Sequence, residues 1–299
     1  GGCDRASHAA DVAAVPSPKD GRSELEETDE SIVASHIDGA PAPSKPKDRS
    51  SAASPALFRL ASDEPGVCHL VVLVHGFLGN SLDLRLWRNH IALVYPGTEF
   101  LMSCANENKG TFDDIDLLAE RLATEVDDKI AQLADCNRGV VRLSFIGCSI
   151  GNLVVRACLG KPLMRPMLAR LHTYVSISGP HLGCLYIGNS LVDGGMRVLG
   201  AVCRSKSLQQ LCFKDARRFS DTYLYKLAHS PTGLGLFTNV LVISSPQDRY
   251  VPYCSARVEP LAPWRPKDDR WREHARMARA LFSPLLRALA GGEARAGKE

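Results

Sequence analysis

No apolar run in this 299-residue chain approaches the roughly 20 residues that a membrane-crossing helix needs. The longest runs are strand-sized, such as Leu70 to Val74. The net charge of +3 is too small to argue for nucleic acid. The start, Gly1-Gly2-Cys3, has neither an initiator Met nor a secretory apolar segment, so the chain reads as a fragment or a processed product. No C-x-x-C pair and no Cys/His cluster has zinc-like spacing, and no internal repeat is evident. The ten cysteines do not look like a disulfide framework, because Cys68, Cys148 and Cys158 fall inside expected core elements. They read as small buried hydrophobes in a reducing, cytoplasmic compartment.

The chain divides by composition. Residues 1 to about 60 are dominated by Ser, Ala, Pro, Asp and Glu, with an acidic run from Glu24 to Glu30 and a Pro-rich stretch from Pro41 to Pro46. Too few large apolar residues occur there to offset the entropy of ordering them, so the segment reads as a disordered tail. From residue 61 to 299 the pattern is that of one folded domain.

Within that domain strands alternate with helices. Expected strands are His69 to Val74, Thr98 to Met102, Val140 to Ile146, His172 to Ser178 and Asn239 to Ser244. Between the second and third, Ile115, Leu118, Leu122, Val126, Ile130 and Leu133 recur at steps of three or four. This marks an amphipathic helix from Asp113 to Ala134, with Thr111, Asp113 and Asp114 suited to its N-terminus. Apolar strands separated by helices imply an α/β fold, a mostly parallel sheet covered on both faces. Residues 183–238 break the rhythm with short helical pieces, Leu191 to Val202, Ser207 to Phe213 and Ser220 to Ala228, and read as a lid-like insertion.

The most informative residues are Gly147-Cys148-Ser149-Ile150-Gly151, a G-x-S-x-G sequence bracketed by an apolar strand and a helical segment. A strand, a sharp turn and a helix hold a serine hydroxyl above the sheet edge, and glycines keep the turn uncrowded. Serine is a weak nucleophile until a base takes its proton and a charge partner holds that base. The negative oxygen formed on attack needs donors in a dry site. The strand end Val74-His75-Gly76-Phe77-Leu78-Gly79 suits that purpose, with the amides of Phe77 and Ile150 as oxyanion donors. His75 and Gly76 then shape the pocket, His75 as a brace for the loop.

Asp248 is the expected acid. It follows the strand Val240 to Ser244 through Ser245-Pro246-Gln247, at the same sheet edge as Ser149; an ordinary turn aspartate is the alternative. The base must come later in the chain, and His274 is the histidine found there. It lies in a helical stretch with no clear strand before it, so catalytic base and solvated helix histidine both stand. His181, in Gly179-Pro180-His181-Leu182-Gly183, is a pocket-shaping candidate. His8, His36, His69, His90, His172 and His229 have no motif context.

Four motifs in order, Val74 to Gly79, Gly147 to Gly151, Gly179 to Gly183 and Ser244 to Tyr253, resemble the Putative serine esterase family of lipase-like α/β-hydrolases. The likeness is strongest to the C-terminal domain of the family-with-sequence-similarity-135 proteins, and it runs from Val67 to Glu259. It implies an α/β-hydrolase fold with Ser149 as nucleophile and Asp248 as acid. Two departures stand out. The elbow reads Gly-Cys-Ser-Ile-Gly-Asn where related lipases commonly have His before the serine and Leu-Gly-Gly after it, and Cys148 is expected to pack rather than react. The family's histidine is expected beyond another helix, and this chain stops within that helix, near Leu286 to Gly292. Either the C-terminus is truncated or the base has been lost.

The expected function is hydrolysis of a carboxylic ester, of a lipid, with no metal or organic cofactor implied. The alternative is an inactive hydrolase fold that binds or scaffolds. Peripheral membrane contact enters through the region from Trp264, where six basic residues from Arg265 to Arg279 accompany Trp264 and Trp271. Ala275, Ala278, Leu281, Leu285 and Leu289 argue instead for packing on the sheet with the arginines solvated, and packing is the preferred reading.

Overall fold

The computed structural model describes residues 66–184, 205–259 and 270–296, with side chains in the last stretch to residue 286. The expectations for residues 1–60 and for the helical piece Leu191 to Val202 lie outside the described residues.

Strands form where β-branched and large apolar residues run together. They are β1 (Val67–Val74), β2 (Glu99–Met102), β3 (Gly139–Cys148), β4 (Leu171–Ile177) and β5 (Asn239–Ile243). They make one sheet in the order β2-β1-β3-β4-β5, with each neighbouring pair parallel. Helices α1 (Arg85–Val94), α2 (Ile115–Asp135) and α3 (Gly151–Cys158) connect the first four strands. Then come α4 (Lys206–Leu211), α5 (Tyr223–Ala228), α6 (Tyr253–Ala256) and α7 (Arg270–Ala296).

Alternation along β1 feeds two cores. Cys68, Leu70, Val72 and Val74 join a large cluster with the α2 stripe Ile115, Leu118, Leu122 and Val126. Val71 and Leu73 face the other way, onto Leu84 and Ile146, with Ile91 of α1 packed against them. The α2 stripe was legible as a period of three and four. Its N-cap is Asp114, whose carboxylate accepts the Leu117 N–H at 2.9 Å. Thr111, expected to serve the same end, has another use: its hydroxyl donates to the Asn108 carbonyl and accepts the Leu78 N–H.

The strand order positions the site. The chain leaves β1 towards β2 at one edge, then returns across β1 to start β3 on its other side. The loops after β1 and β3 therefore diverge to opposite faces and open a crevice at the carboxyl ends of these two strands. In a parallel sheet that is where ligands bind.

Helix α7 buries Met277, Ala278 and Leu281 and pairs Glu273 with Arg276 at its surface. Leu285 packs against the large core, Ala275 is half-buried, and the side chain of Leu289 lies outside those described.

Candidate active site

The turn after β3 is fixed by sterics. Ser149 has φ of +51°, a left-handed conformation that a non-glycine residue holds only when its surroundings dictate it. A Cβ on Gly147 would stand 3.0 Å from the Cα of Asn152, and one on Gly151 would stand 2.6 Å from the Val74 carbonyl oxygen. Both glycines are therefore required by close backbone approach. The Ser149 N–H is donated to the Ile177 carbonyl at 2.9 Å, which ties the turn to β4.

Asn152 is a support that the sequence reading overlooked. Its side-chain amide donates to the carbonyls of Ser149 (3.1 Å) and Ile177 (3.2 Å), while its oxygen accepts the Tyr174 hydroxyl at 2.8 Å. The available signal was an Asn directly after the second elbow glycine, where the related lipases carry a small residue. Arg156, also overlooked, is wholly buried one turn further on. It donates to the carbonyls of His181 and Leu227, and burial lowers its pKa to about 10.

The end of β1 closes on this turn. A Cβ on Gly76 would lie 3.2 Å from the Cβ of Ser149 and 3.9 Å from its Oγ. Leu78 takes a positive φ and is held by Thr111, and the ring of Phe77 stacks on Phe112 at 5.2 Å. Among the described residues neither the Phe77 nor the Ile150 amide N–H is donated to another group. These are the free donors that an oxyanion needs.

Asp248 follows β5. Its Oδ1 accepts the N–H groups of Tyr250 (2.8 Å) and Val251 (3.0 Å), which aims the carboxylate. Ser149, Phe77, Ile150, Gly76 and Asp248 all line one cavity of about 830 Å³. Its remaining wall is mostly apolar, with Leu78, Leu84, Leu208, Leu211 and Val251, plus Asp83, Cys148, Ser178 and Tyr250. Leu208 and Leu211 come from α4, so the described part of the 183–238 insertion contributes to the wall. Burial pushes the Cys148 thiol up, with Asp83 and Asp248 adding to the shift, so this residue stays protonated beside the serine.

The three histidines singled out in the sequence do not line the cavity. His75 is buried and donates Nδ1–H to the Gly76 carbonyl at 2.9 Å, bracing the loop from behind. His181 is buried beneath the elbow, with Nε2 2.8 Å from the Ser176 hydroxyl, and burial followed by the Arg156 charge lowers its pKa to about 3. His274 is only 1% exposed, which corrects the reading of a solvated helix histidine. The helix α7 turns it inward, towards the Leu182 backbone, and burial lowers its pKa to about 4. The cavity thus collects a serine hydroxyl, two free backbone amides and a carboxylate from separate elements, and its lining contains no histidine among the described residues. No group of His, Cys, Asp and Glu among those residues is arranged to hold a metal ion.

A family model described as Putative serine esterase (DUF676) matches residues 64–259. Solved structures similar to this chain include the phospholipase PlaB of Legionella pneumophila, at 15% identity and TM-score 0.41, covering 60% of this chain and 40% of that one. The Bacillus licheniformis lipase BlEst2 is 14% identical with TM-score 0.36, covering 56% and 62%. An extracellular α/β-hydrolase from a Paenibacillus species is 14% identical with TM-score 0.35, covering 72% and 98%. The chain spans less than two thirds of the first two structures' length, and the fold assignment rests on the parallel sheet, the elbow and the family match.

Proposed function

The chain belongs to the Putative serine esterase family, an α/β-hydrolase fold, and from that premise we propose that it cleaves a carboxylic ester of a lipid through an acyl-serine intermediate. The observation that carries this is the shared cavity: Ser149 in its left-handed turn, two uncommitted amides beside it, and a carboxylate aimed from β5. Ser149 Oγ attacks the ester carbon, its proton passing to a base, while the Phe77 and Ile150 amides receive the developing oxyanion. The proton then goes to the leaving alcohol as the C–O bond breaks. Water attacks the acyl-serine by the same route and releases the carboxylic acid. Asp248 orients the base and offsets its charge, as the acid of a triad does. The base itself is an imidazole that the cavity lining described here does not supply.

The apolar wall supports a lipid acyl group, since Leu78, Leu84, Leu208, Leu211 and Val251 offer it no polar partner. The four ordered motifs support a place beside the C-terminal domain of the family-with-sequence-similarity-135 proteins. A cytoplasmic setting is supported by the described cysteines, none of which is in a disulfide. No described helix is long and apolar enough to cross a membrane.

The test is hydrolysis of p-nitrophenyl esters of increasing acyl length, with and without added imidazole. Turnover that rises with chain length and disappears in Ser149→Ala supports the reading; turnover retained in Ser149→Ala ends it. The histidine-free lining favours one other reading, a hydrolase fold that binds an acyl group without turnover. That reading predicts acyl-chain binding with no hydrolysis in either buffer.

A further inference from the structure

Helix α1 has an unusual solvent face. At 3.6 residues per turn, Leu93, Leu86, His90, Val94 and Trp87 fall within an arc of about 120°. This arc faces water: Leu93 is 81% exposed, Val94 65% and Leu86 61%. A surface helix ordinarily turns charged residues outward and apolar ones to the core. Here the core side is served by Ile91 and the preceding Leu84, and a second apolar stripe is left without a partner among the described residues.

The stripe is close in sequence to the cavity lining. The turn Ser81–Leu84 leads directly into α1; Leu82, at its surface, is also exposed, while Leu84 and Leu78 line the cavity. The chain segment between the outer face of α1 and the chamber containing Ser149 is thus short, with exposed Leu78 and Leu82 on it. Arg85 and Arg88 fall on the opposite side of α1 from the stripe, Arg85 donating to the Leu82 carbonyl and Arg88 standing 5.5 Å over the Phe100 ring of β2.

We propose that the exposed face of α1 seats the protein on a phospholipid bilayer, so that a lipid ester passes from the membrane along Leu82 and Leu78 into the cavity. This rests on the esterase reading for the identity of the cavity, but not for the binding itself. A bilayer is favoured over a second copy of the chain by area. Ten helical residues span about 15 Å, so the stripe offers roughly 200–300 Å², whereas a stable protein interface needs about 800 Å² per partner. An amphipathic helix lying in the headgroup layer needs only its apolar face inserted. Trp87, at the margin of the stripe, suits that depth, where indole rings settle. Asp83, the one carboxylate in the turn, accepts the Asn80 N–H at 3.0 Å.

The experiment is flotation of the 299-residue chain with vesicles of mixed phosphatidylcholine and phosphatidylserine. Wild type should float with the vesicles, and the double variant Leu86→Asp with Leu93→Asp should lose about tenfold or more in partitioning. Both substituted side chains are exposed, so the unfolding midpoint should hold. As a measurement independent of that variant, brominated lipid chains should quench tryptophan fluorescence in wild type, and Trp87→Phe should remove the quenching although Trp264 and Trp271 remain. Ser149→Ala should float as wild type does, so esterase activity retained in that variant with binding intact counts against the catalytic reading alone. Wild type left in the aqueous fraction overturns the proposal. So does equal flotation of the double variant, quenching that survives Trp87→Phe, or a dimer in solution that the two aspartates dissociate.

Discussion

The two strand ends that carry Ser149 and Asp248 are built differently. Ser149 sits at the end of β3, a strand buried between β1 and β4, and every neighbour constrains it: two glycines with no room for a methyl, Asn152 wedged beneath, and an amide tied to Ile177. Asp248 follows β5, paired with β4 alone among the described strands, whose Leu241, Val242 and Ile243 are 37–48% exposed. Two backbone amides aim its carboxylate, and little else restrains it. The Ser149 end is specified by packing and the Asp248 end by local turn chemistry. Substitutions should therefore be costly in different currencies at the two ends: fold stability at Ser149, charge at Asp248.

The largest effect should come from Gly151→Ala. The added methyl meets the Val74 carbonyl oxygen at 2.6 Å, and relieving it requires β1 or α3 to move, at a cost of about 3 kcal/mol. Urea unfolding measures this; an unchanged midpoint would mean that the elbow is looser than its geometry. Asp248→Asn breaks the comparison from the other side. The amide oxygen still accepts the Tyr250 and Val251 N–H groups, so stability should change little. Imidazole-stimulated ester hydrolysis should fall about a hundredfold for want of the negative charge. Equal stimulation in both proteins would remove Asp248 from the mechanism.

Asn152→Leu is the next in size. It strips the donor from the Ser149 and Ile177 carbonyls, and each unsatisfied group costs about 1–3 kcal/mol. Asn152→Asp, which keeps the shape, offers no donor to replace the amide and should rescue neither stability nor serine reactivity. Acid should act through the buried histidines. Burial holds His69 and His274 at about 4 and His181 at about 3, below the ordinary 6.5. The unfolded chain therefore binds protons first, so stability is full above about 6.5 and falls as pH drops towards 4. His274→Leu should flatten part of that slope in urea titrations at successive pH values; an unaltered slope would place His274 in water. The smallest effect should be Leu241→Thr on β5, within about 0.5 kcal/mol, because an exposed edge position has little packing to lose.

What was legible in the sequence follows the same division. The α2 helix was readable because burial imposes a period, the five strands because β-branched and large apolar residues run together, and Gly147, Gly151 and Ser149 because backbone crowding leaves few residues that fit. Thr111 shows the limit: a hydroxyl before a helix looks like a cap, and only the tertiary approach of the Leu78 loop reveals the N–H that it accepts. His274 shows it again. A helix rich in arginine gives no local sign that one of its turns faces inward, because the partner, Leu182, is far away in sequence. Asn152 and Tyr174 meet across neighbouring strand and helix, a contact that no single segment carries.

The central claim is that Ser149 is a reactive nucleophile facing prepared oxyanion donors. Treatment with an alkyl fluorophosphonate, followed by peptide mapping by mass spectrometry, tests it most directly. The account predicts a single phosphonyl adduct on the peptide containing Ser149, faster with imidazole and absent in Ser149→Ala. An adduct on another residue, or an unmodified Ser149 peptide in the folded protein with imidazole present, would contradict it.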